Sequence, residues 1–273
     1  MKLHRHRRCV SRPSALTFAR QFALGSWLAA TVIASPAGAE EENSRTNGPV
    51  VWSAEGPVQG FVRNGVGSFL GTPYAAPPVG ELRWRPPQPV EHWRALRDAT
   101  RFASTCPQVT ELGAFAGPGS INEDCLYLNV FTSNLAHNGK RNPVIVWIHG
   151  GGNVDGESSD YDGSKLATGG PNGSPTVVVT MNYRLGLFGF LAHPALDSER
   201  HPFGNYGVLD QQAVLRWVQR NIEAFGGDPG RFTLGGQSAG AIDTGASMLS
   251  PLATGLFHRA IFQSAPATNF WYL

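Results

Sequence analysis

Two runs of strand length carry apolar residues on both faces. Residues 143–150 read PVIVWIHG and residues 176–183 read TVVVTMNY. Strands that are apolar on both faces belong in a sheet covered by helices on both sides. Residues 206–227 supply one such helix, with apolar side chains at helical spacing and two glycines at the end. The alternation of strands and helices predicts an α/β fold with a doubly wound, mostly parallel sheet.

A serine lies between a strand-like run, 231–236, and a helix-like run, 239–250. Residues 236–240 read GQSAG and fit G-x-S-x-G, the sharp turn that exposes a nucleophilic serine, here Ser238. A plain turn in a glycine-rich chain is the alternative. Residues 149–152 read HGGG and follow an earlier strand, where backbone N–H groups form an oxyanion hole. The two motifs together predict an acyl-transfer site.

The first 39 residues predict an export signal. They hold six Lys or Arg and no acidic residue, an uncharged run at 22–34, and the pattern AGA at 37–39. An uncleaved membrane anchor is the alternative, and Arg7-Arg8 raises the twin-arginine export route. We expect a signal peptide over 1–39, a domain over 40–273, and a secreted or periplasmic protein with no membrane span after cleavage.

The charge balance argues against a nucleic-acid partner. The formal net charge is +2, but without the leader 16 basic residues face 20 acidic ones, a balance of −4. The basic excess therefore belongs to the leader, and nucleic-acid binding loses its main support. A hydrophobic content of 41% with 15% charged residues indicates a globular protein. No metal-ligand spacing is present, so no metal is expected.

The chain has three cysteines, of which Cys9 belongs to the leader. Cys106 and Cys125 then form an even pair in a chain sent to an oxidising compartment, which favours a disulfide. Two reduced, buried cysteines are the alternative.

Six sequence blocks carry a family resemblance. They read FLGTPYAAPPVGELRWRPPQPV, EDCLYLNVF, VIVWIHGGG, NYRLGLFGFL, GNYGVLDQQAVLRWVQRNIEAFGGDPGRFTLGGQSAGA and HRAIFQS. In these blocks the chain resembles the type-B carboxylesterases, which include cholinesterases and bacterial para-nitrobenzyl esterases. The resemblance implies the α/β-hydrolase fold and hydrolysis of small-molecule carboxylic esters without a cofactor.

The resemblance also implies roles for single residues. Ser238 is the implied nucleophile that forms the acyl-enzyme, and the backbone N–H groups of Gly151, Gly152 and Ala239 are the implied oxyanion donors. The implied scaffold consists of the disulfide Cys106–Cys125 and two buried ion pairs, Arg83–Glu123 and Arg184–Asp228.

Three positions depart from the family pattern. Gln237 stands where cholinesterases have a glutamate, and Asn153 follows the glycines where an aromatic or aliphatic residue is common. The segment between Cys106 and Cys125 contains no tryptophan, so a cation–π site for choline is not supported.

The general base is the missing part of the site. In this fold the triad acid and histidine follow the serine along the chain. Only 35 residues follow Ser238, and their one histidine, His258, lies in a block that is not catalytic in the family. His149 has a structural role in its motif, and the four remaining histidines after the leader lie in loop-like stretches: His92, His137, His193 and His201. We therefore expect the N-terminal part of an esterase, with a sheet incomplete at its C-terminal side and no activity of its own.

A catalytically dead binding or adhesion protein is the competing hypothesis, although Ser238 within a full motif weighs against it. A dinucleotide-binding module fails because GGQSAG lacks the third glycine of G-x-G-x-x-G. The sequence leaves the acyl and alcohol preference and the oligomeric state open.

Overall fold

The computed structural model describes residues 48–265, apart from 114–115, 136–138, 171–172 and 203. The export signal over 1–39 and its cleavage position lie outside the described residues, as does His137. Within the described residues no helix is long and apolar enough to cross a bilayer.

Ten strands and five α-helices are formed by the described residues. In chain order the strands are β1 (Val50–Trp52), β2 (Pro57–Gln59), β3 (Phe61–Arg63), β4 (Val66–Pro73), β5 (Arg97–Asp98), β6 (Tyr127–Thr132), β7 (Asn142–Ile148), β8 (Val177–Met181), β9 (Gly227–Gln237) and β10 (Arg259–Gln263). The helices are α1 (Ser164–Ala167), α2 (Gly186–Phe190), α3 (Pro194–Asp197), α4 (Tyr206–Asn221) and α5 (Ala239–Leu249). Short 3₁₀ turns lie at Gly80–Leu82, Ser158–Asp160, Ile222–Phe225 and Pro251–Ala253.

The main sheet has seven strands in the order β10-β9-β7-β8-β6-β4-β3. The pairs β10–β9, β9–β7 and β7–β8 are parallel, whereas β8–β6, β6–β4 and β4–β3 are antiparallel. The α/β architecture is therefore confirmed, but in the main sheet only the described strands on the β10 side pair in parallel. Strands β4 and β6, which pair antiparallel, are also buried on both faces. Burial on both faces therefore does not distinguish parallel strands from antiparallel ones. A smaller sheet joins β1, β2 and β5.

Helices lie on both faces of the main sheet. In β8, Val177 and Val179 belong to the large core cluster with Trp217 of α4. Val178 belongs to a second cluster with Ala167 of α1. Because successive side chains of a strand point to opposite faces, α4 and α1 cover opposite sides of the sheet.

The disulfide between Cys106 and Cys125 is present, with the two Cα atoms 5.0 Å apart. Both residues are buried. A cross-link between residues 19 apart in sequence stabilises the fold by about 3 kcal/mol in the chain-entropy account.

One of the two expected ion pairs forms, and the other has a different partner. Arg83 Nη2 lies 2.5 Å from Glu123 Oε1, but the Arg83 side chain is 40% exposed, so this pair is not buried as expected. Arg184 pairs with Asp210 at 2.7 Å, with 3% and 0% of the side chains exposed.

The expected pair Arg184–Asp228 is therefore wrong. Asp228 pairs with Arg231 instead, at 2.7 Å on the surface. Asp228 lies at the beginning of β9, whereas Arg184 follows the end of β8. Because β7 is parallel to both strands, these two residues lie at opposite ends of the sheet. Asp210, on the second turn of α4, lies at the same end as Arg184.

Candidate active site

Ser238 occupies a tight turn between β9 and α5. Its backbone has φ 54° and ψ −121°, a conformation that a non-glycine residue adopts at a cost of about 1–3 kcal/mol. Hydrogen bonds hold the turn: the Ser238 N–H donates to the Gln263 carbonyl at 2.8 Å, and the Ala241 N–H donates to the Ser238 carbonyl at 3.0 Å. A strained serine between a strand and a helix is the geometry that G-x-S-x-G predicts.

The two glycines of the motif allow close backbone contacts. A Cβ on Gly236 would lie 2.3 Å from the Gly240 carbonyl oxygen, and a Cβ on Gly240 would lie 2.2 Å from the Ile148 carbonyl oxygen. Any side chain would therefore force the turn away from β7. The spacing of the motif is explained by this packing.

The HGGG segment lies against the serine. Strands β7 and β9 are parallel neighbours with Ile148 opposite Gly236, so the residues after both strands meet at one edge of the sheet. A Cβ on Gly150 would lie 3.1 Å from the Ser238 Cβ atom. Gly151 has φ +109° and lies so close to the Asp155 carbonyl that a Cβ there would be 1.9 Å from its oxygen.

Backbone N–H groups are available beside the serine. Within the described residues, the N–H groups of Gly151 and Gly152 donate no hydrogen bond. Ala239 is the first residue of α5, and the first N–H groups of a helix have no acceptor inside it. Three donors near Ser238 are thus free to bind an anionic oxygen.

His149 is a buried, neutral side chain. Its Nδ1 donates to the Gly150 carbonyl at 2.7 Å, and its ring stacks on Tyr183 with centroids 4.4 Å apart. Burial lowers the pKa of His149 from 6.5 to about 4. At neutral pH this histidine carries no charge.

A buried carboxylate, absent from the sequence-based site, contacts the residue directly after the HGGG segment. Asp243 of α5 is 3% exposed. Its Oδ1 accepts from Asn153 Nδ2 at 3.1 Å, and its Oδ2 accepts from Gln211 Nε2 at 2.6 Å. Burial raises the pKa of Asp243 to about 6, although both amides lower it. The sequence signal that could have identified Asp243 is its position as the one acidic residue in an otherwise uncharged helix.

None of the described histidines hydrogen-bonds to Ser238, and the Ser238 hydroxyl has no hydrogen-bond partner among the described residues. His193 accepts from the Ala195 N–H, His201 lies beside Glu199, and His92 is exposed.

His258, the one described histidine after Ser238, lies beside Phe232, whose carbonyl accepts from its N–H at 2.9 Å. Phe232 precedes Ser238 by six residues, which is roughly 20 Å along a strand. His258 therefore lies beside the middle of β9, well away from Ser238.

The two buried groups predict opposite pH dependences of stability. The raised pKa of Asp243 means that the folded state holds its proton more tightly than the unfolded chain, so stability falls as pH rises from about 4 to 6. The lowered pKa of His149 has the reverse effect, since the unfolded chain binds the proton more tightly between pH 4 and 6.5. Each effect amounts to about 3 kcal/mol, so the two nearly cancel.

We expect the variant Asp243→Asn to reveal how the protonation of His149 makes stability depend on pH. Relative to the wild type, the free energy of unfolding of this variant should rise by about 3 kcal/mol between pH 4 and 6.5, because the opposing carboxylate is gone. His149→Asn, whose amide can still donate to the Gly150 carbonyl, should show a fall of similar size. Urea unfolding at several pH values measures both slopes. Parallel curves for all three proteins would contradict the two assignments.

The carboxylesterase family model matches residues 47–273. The chain belongs to the carboxylesterase family. It is 48% identical over 213 residues to "Fumonisin B1 esterase" of Sphingopyxis macrogoltabida, a match that covers 77% of this chain and 38% of that protein. It is 43% identical over 240 residues to "Fatty acyl-CoA hydrolase precursor, medium chain" of Anas platyrhynchos, covering 82% and 42%.

The solved structure of a thermophilic PNB esterase superposes with a TM-score of 0.69 at 43% identity, covering 77% of this chain and 43% of that one. The α/β-hydrolase fold expected of this carboxylesterase chain is therefore confirmed. The chain spans about two fifths of the length of the curated relatives, 42% and 38% for the two named above.

Proposed function

We propose that this carboxylesterase chain carries the nucleophile of a serine ester hydrolase. The observation that supports it most directly is the strained backbone of Ser238, φ 54°, at a turn against which the HGGG backbone packs. Strain of this kind persists only where the surrounding structure imposes it, and it concentrates at functional sites.

The proposed reaction has two steps. Ser238 Oγ attacks the carbonyl carbon of the ester while a general base takes the hydroxyl proton, and the alcohol leaves with a proton as the acyl-enzyme forms. Water, which gives a proton to the same base, then attacks the acyl carbon. The bond from that carbon to Ser238 Oγ breaks, the carboxylic acid leaves, and the base returns the proton to the serine. The oxyanion of each tetrahedral intermediate is bound by the N–H groups of Gly151, Gly152 and Ala239, which is worth about 2.7–4 kcal/mol per donor in comparable sites.

The proposal places the base outside the described residues. Ser238 has no histidine partner there, and a serine hydroxyl is a weak nucleophile without one. We therefore infer that residues 40–273 alone show no Ser238-dependent turnover of esters. The triad acid and base would come from residues equivalent to those that the relatives have beyond the matched region.

Acyl-enzyme trapping tests this function. The test protein is an extended chain, in which the last residue of this chain that aligns with Fumonisin B1 esterase is followed by the residues of that esterase beyond the match. Rapid acid quenching after mixing with p-nitrophenyl acetate should leave an acetyl group on the peptide that contains Ser238. Peptide mass spectrometry measures it, and Ser238→Ala should remove it. A folded extended chain with no acetylated serine would favour the binding-protein hypothesis.

We also propose that the protein is exported and that the leader is cleaved after Ala39. The support is the basic start, the short uncharged run and the AGA pattern at 37–39. N-terminal sequencing of exported material should begin at Glu40. Material that begins at Met1 would instead favour a membrane anchor.

A further inference from the structure

Asn153, the residue directly after the HGGG segment, is fixed by several contacts. Its backbone has φ 60°, a left-handed conformation that asparagine tolerates better than most residues. Its carbonyl accepts from the Gly186 N–H at 2.7 Å. Its side-chain oxygen accepts from the Tyr183 hydroxyl at 3.1 Å, and its Nδ2 donates to Asp243 Oδ1 at 3.1 Å.

The carboxylate of Asp243 determines which way this amide points. An ionised carboxylate can only accept hydrogen bonds, so it requires the NH₂ group of Asn153 on its side. The Asn153 oxygen then faces the Tyr183 hydroxyl, whose one proton it shares with the His149 carbonyl, 3.0 Å from the same hydroxyl. The second carboxylate oxygen accepts from Gln211 of α4, so both oxygens of Asp243 are engaged.

The same carboxylate lies on the helix that begins at the nucleophile. Asp243 is five residues after Ser238 in α5, and Asn153 is bonded to Gly152 through one peptide unit. The contact therefore joins the serine turn to the glycine segment across 90 residues of sequence.

We propose that Asp243 is a positioning residue, which, through Asn153, fixes the N–H groups of Gly151 and Gly152 relative to Ser238. The inference rests on the proposed role of those N–H groups as oxyanion donors. Asp243 touches no reacting atom. It acts on the reaction through Asn153, and protonation of Asp243 weakens the charge-assisted hydrogen bond that holds the amide.

The surroundings make Asp243 the group that titrates in this cluster near pH 6. Burial raises its pKa to about 6. Tyr183, from the segment after β8, has its pKa raised well above 10 by burial and by Asp243, so it stays neutral. Gln211 of α4 and Asn153 carry no charge, and His149, stacked on Tyr183, is neutral above about pH 4. No described cation forms an ion pair with Asp243.

Protonation changes what the cluster can bond. A protonated carboxyl has a donor, while Asn153 and Gln211 both present NH₂ groups to it. Both amides then lose the charge-assisted part of their hydrogen bonds, and either of them can turn to accept from the new O–H. If Asn153 turns, its oxygen leaves the Tyr183 hydroxyl, and the backbone next to Gly152 loses a side-chain anchor.

Glycine-selective ¹⁵N NMR of the full chain tests the coupling without any need for activity. The amide signals of Gly151 and Gly152 should shift between pH 4.5 and 8 with a common midpoint near 6, as the pKa of Asp243 indicates. Asp243→Asn should abolish this shift. Asn153→Gly should abolish it too, and glycine adopts the left-handed backbone without strain, so the loss reports the side-chain contact alone. Asp228→Asn, an acid-to-amide change on the surface, is the matched control and should leave the shift intact.

A kinetic measurement on the extended chain gives the second readout. At pH 7.5, Asn153→Gly should lower kcat roughly 10–100-fold and change KM little, because a misplaced oxyanion donor weakens transition-state binding. The rate profile alone would not suffice, since a histidine base titrates in the same pH range.

The outcomes separate the two proposals. Glycine signals that do not titrate, or that titrate equally in Asn153→Gly, overturn the role of Asp243. Titrating signals with no Ser238-dependent turnover support the coupling and overturn the proposed function instead. Melting curves confirm that each variant is folded before either comparison.

Discussion

Replacing Ser238 with alanine should reduce ester hydrolysis by the extended chain by roughly 10⁴-fold or more in kcat/KM. The substitution removes the oxygen that forms the acyl-enzyme and leaves the backbone donors of Gly151, Gly152 and Ala239 in place. The fold should change little, because the serine hydroxyl has no hydrogen-bond partner among the described residues and its removal therefore breaks no such contact. Initial rates with p-nitrophenyl acetate measure the loss.

The short chain, residues 40–273, supplies the matched comparison. It should hydrolyse p-nitrophenyl acetate no faster than its own Ser238→Ala variant, because the described residues bring no base to the serine. His258→Ala should have no effect on either protein, since His258 hydrogen-bonds to Phe232, six residues before Ser238 in the middle of β9. Ser238-dependent turnover by the short chain would contradict the placement of the base outside the described residues.

The parts of the site encoded within a few residues could be predicted from sequence. Ser238, Gly236 and Gly240 lie in one five-residue motif whose spacing is imposed by local packing between β9, α5 and β7. The meeting of the HGGG segment with that motif also follows, because both come after parallel strands and such strand ends share an edge.

Contacts between distant residues were harder to predict. The pairing of Arg184 was wrong because a sequence block does not say at which end of the sheet its charged residue lies. Asp228 and Asp210 are both acids in the same block, and only the direction of β8 and β9 distinguishes them. The contact of Asn153 with Asp243 depends in the same way on the approach of a loop residue to a residue of α5, which no local pattern encodes.

The corrected ion pair predicts the largest effect on stability. Asp210→Asn should lower the free energy of unfolding by about 3–5 kcal/mol, because the Arg184 guanidinium, 3% exposed, is left buried without a counter-charge. The carboxylate now accepts from Arg184 Nε at 2.8 Å, Nη2 at 2.7 Å and the backbone N–H at 3.1 Å. For a domain of this size the loss corresponds to a fall in melting temperature of about 10 °C.

Asp228→Asn is the matched control, since Asp228 pairs with Arg231 on the surface, with side chains 31% and 48% exposed. Exposed pairs contribute about 0–1 kcal/mol, so this variant should melt within a few degrees of the wild type. Equal losses for the two variants would contradict the assignment of Asp210.

A double variant, Arg184→Met with Asp210→Asn, separates the effect of charge from the effect of packing. It keeps an acceptor for the backbone N–H of residue 184 and removes the buried cation. It should therefore be more stable than Asp210→Asn alone, because the cost of that substitution comes from the unpaired charge.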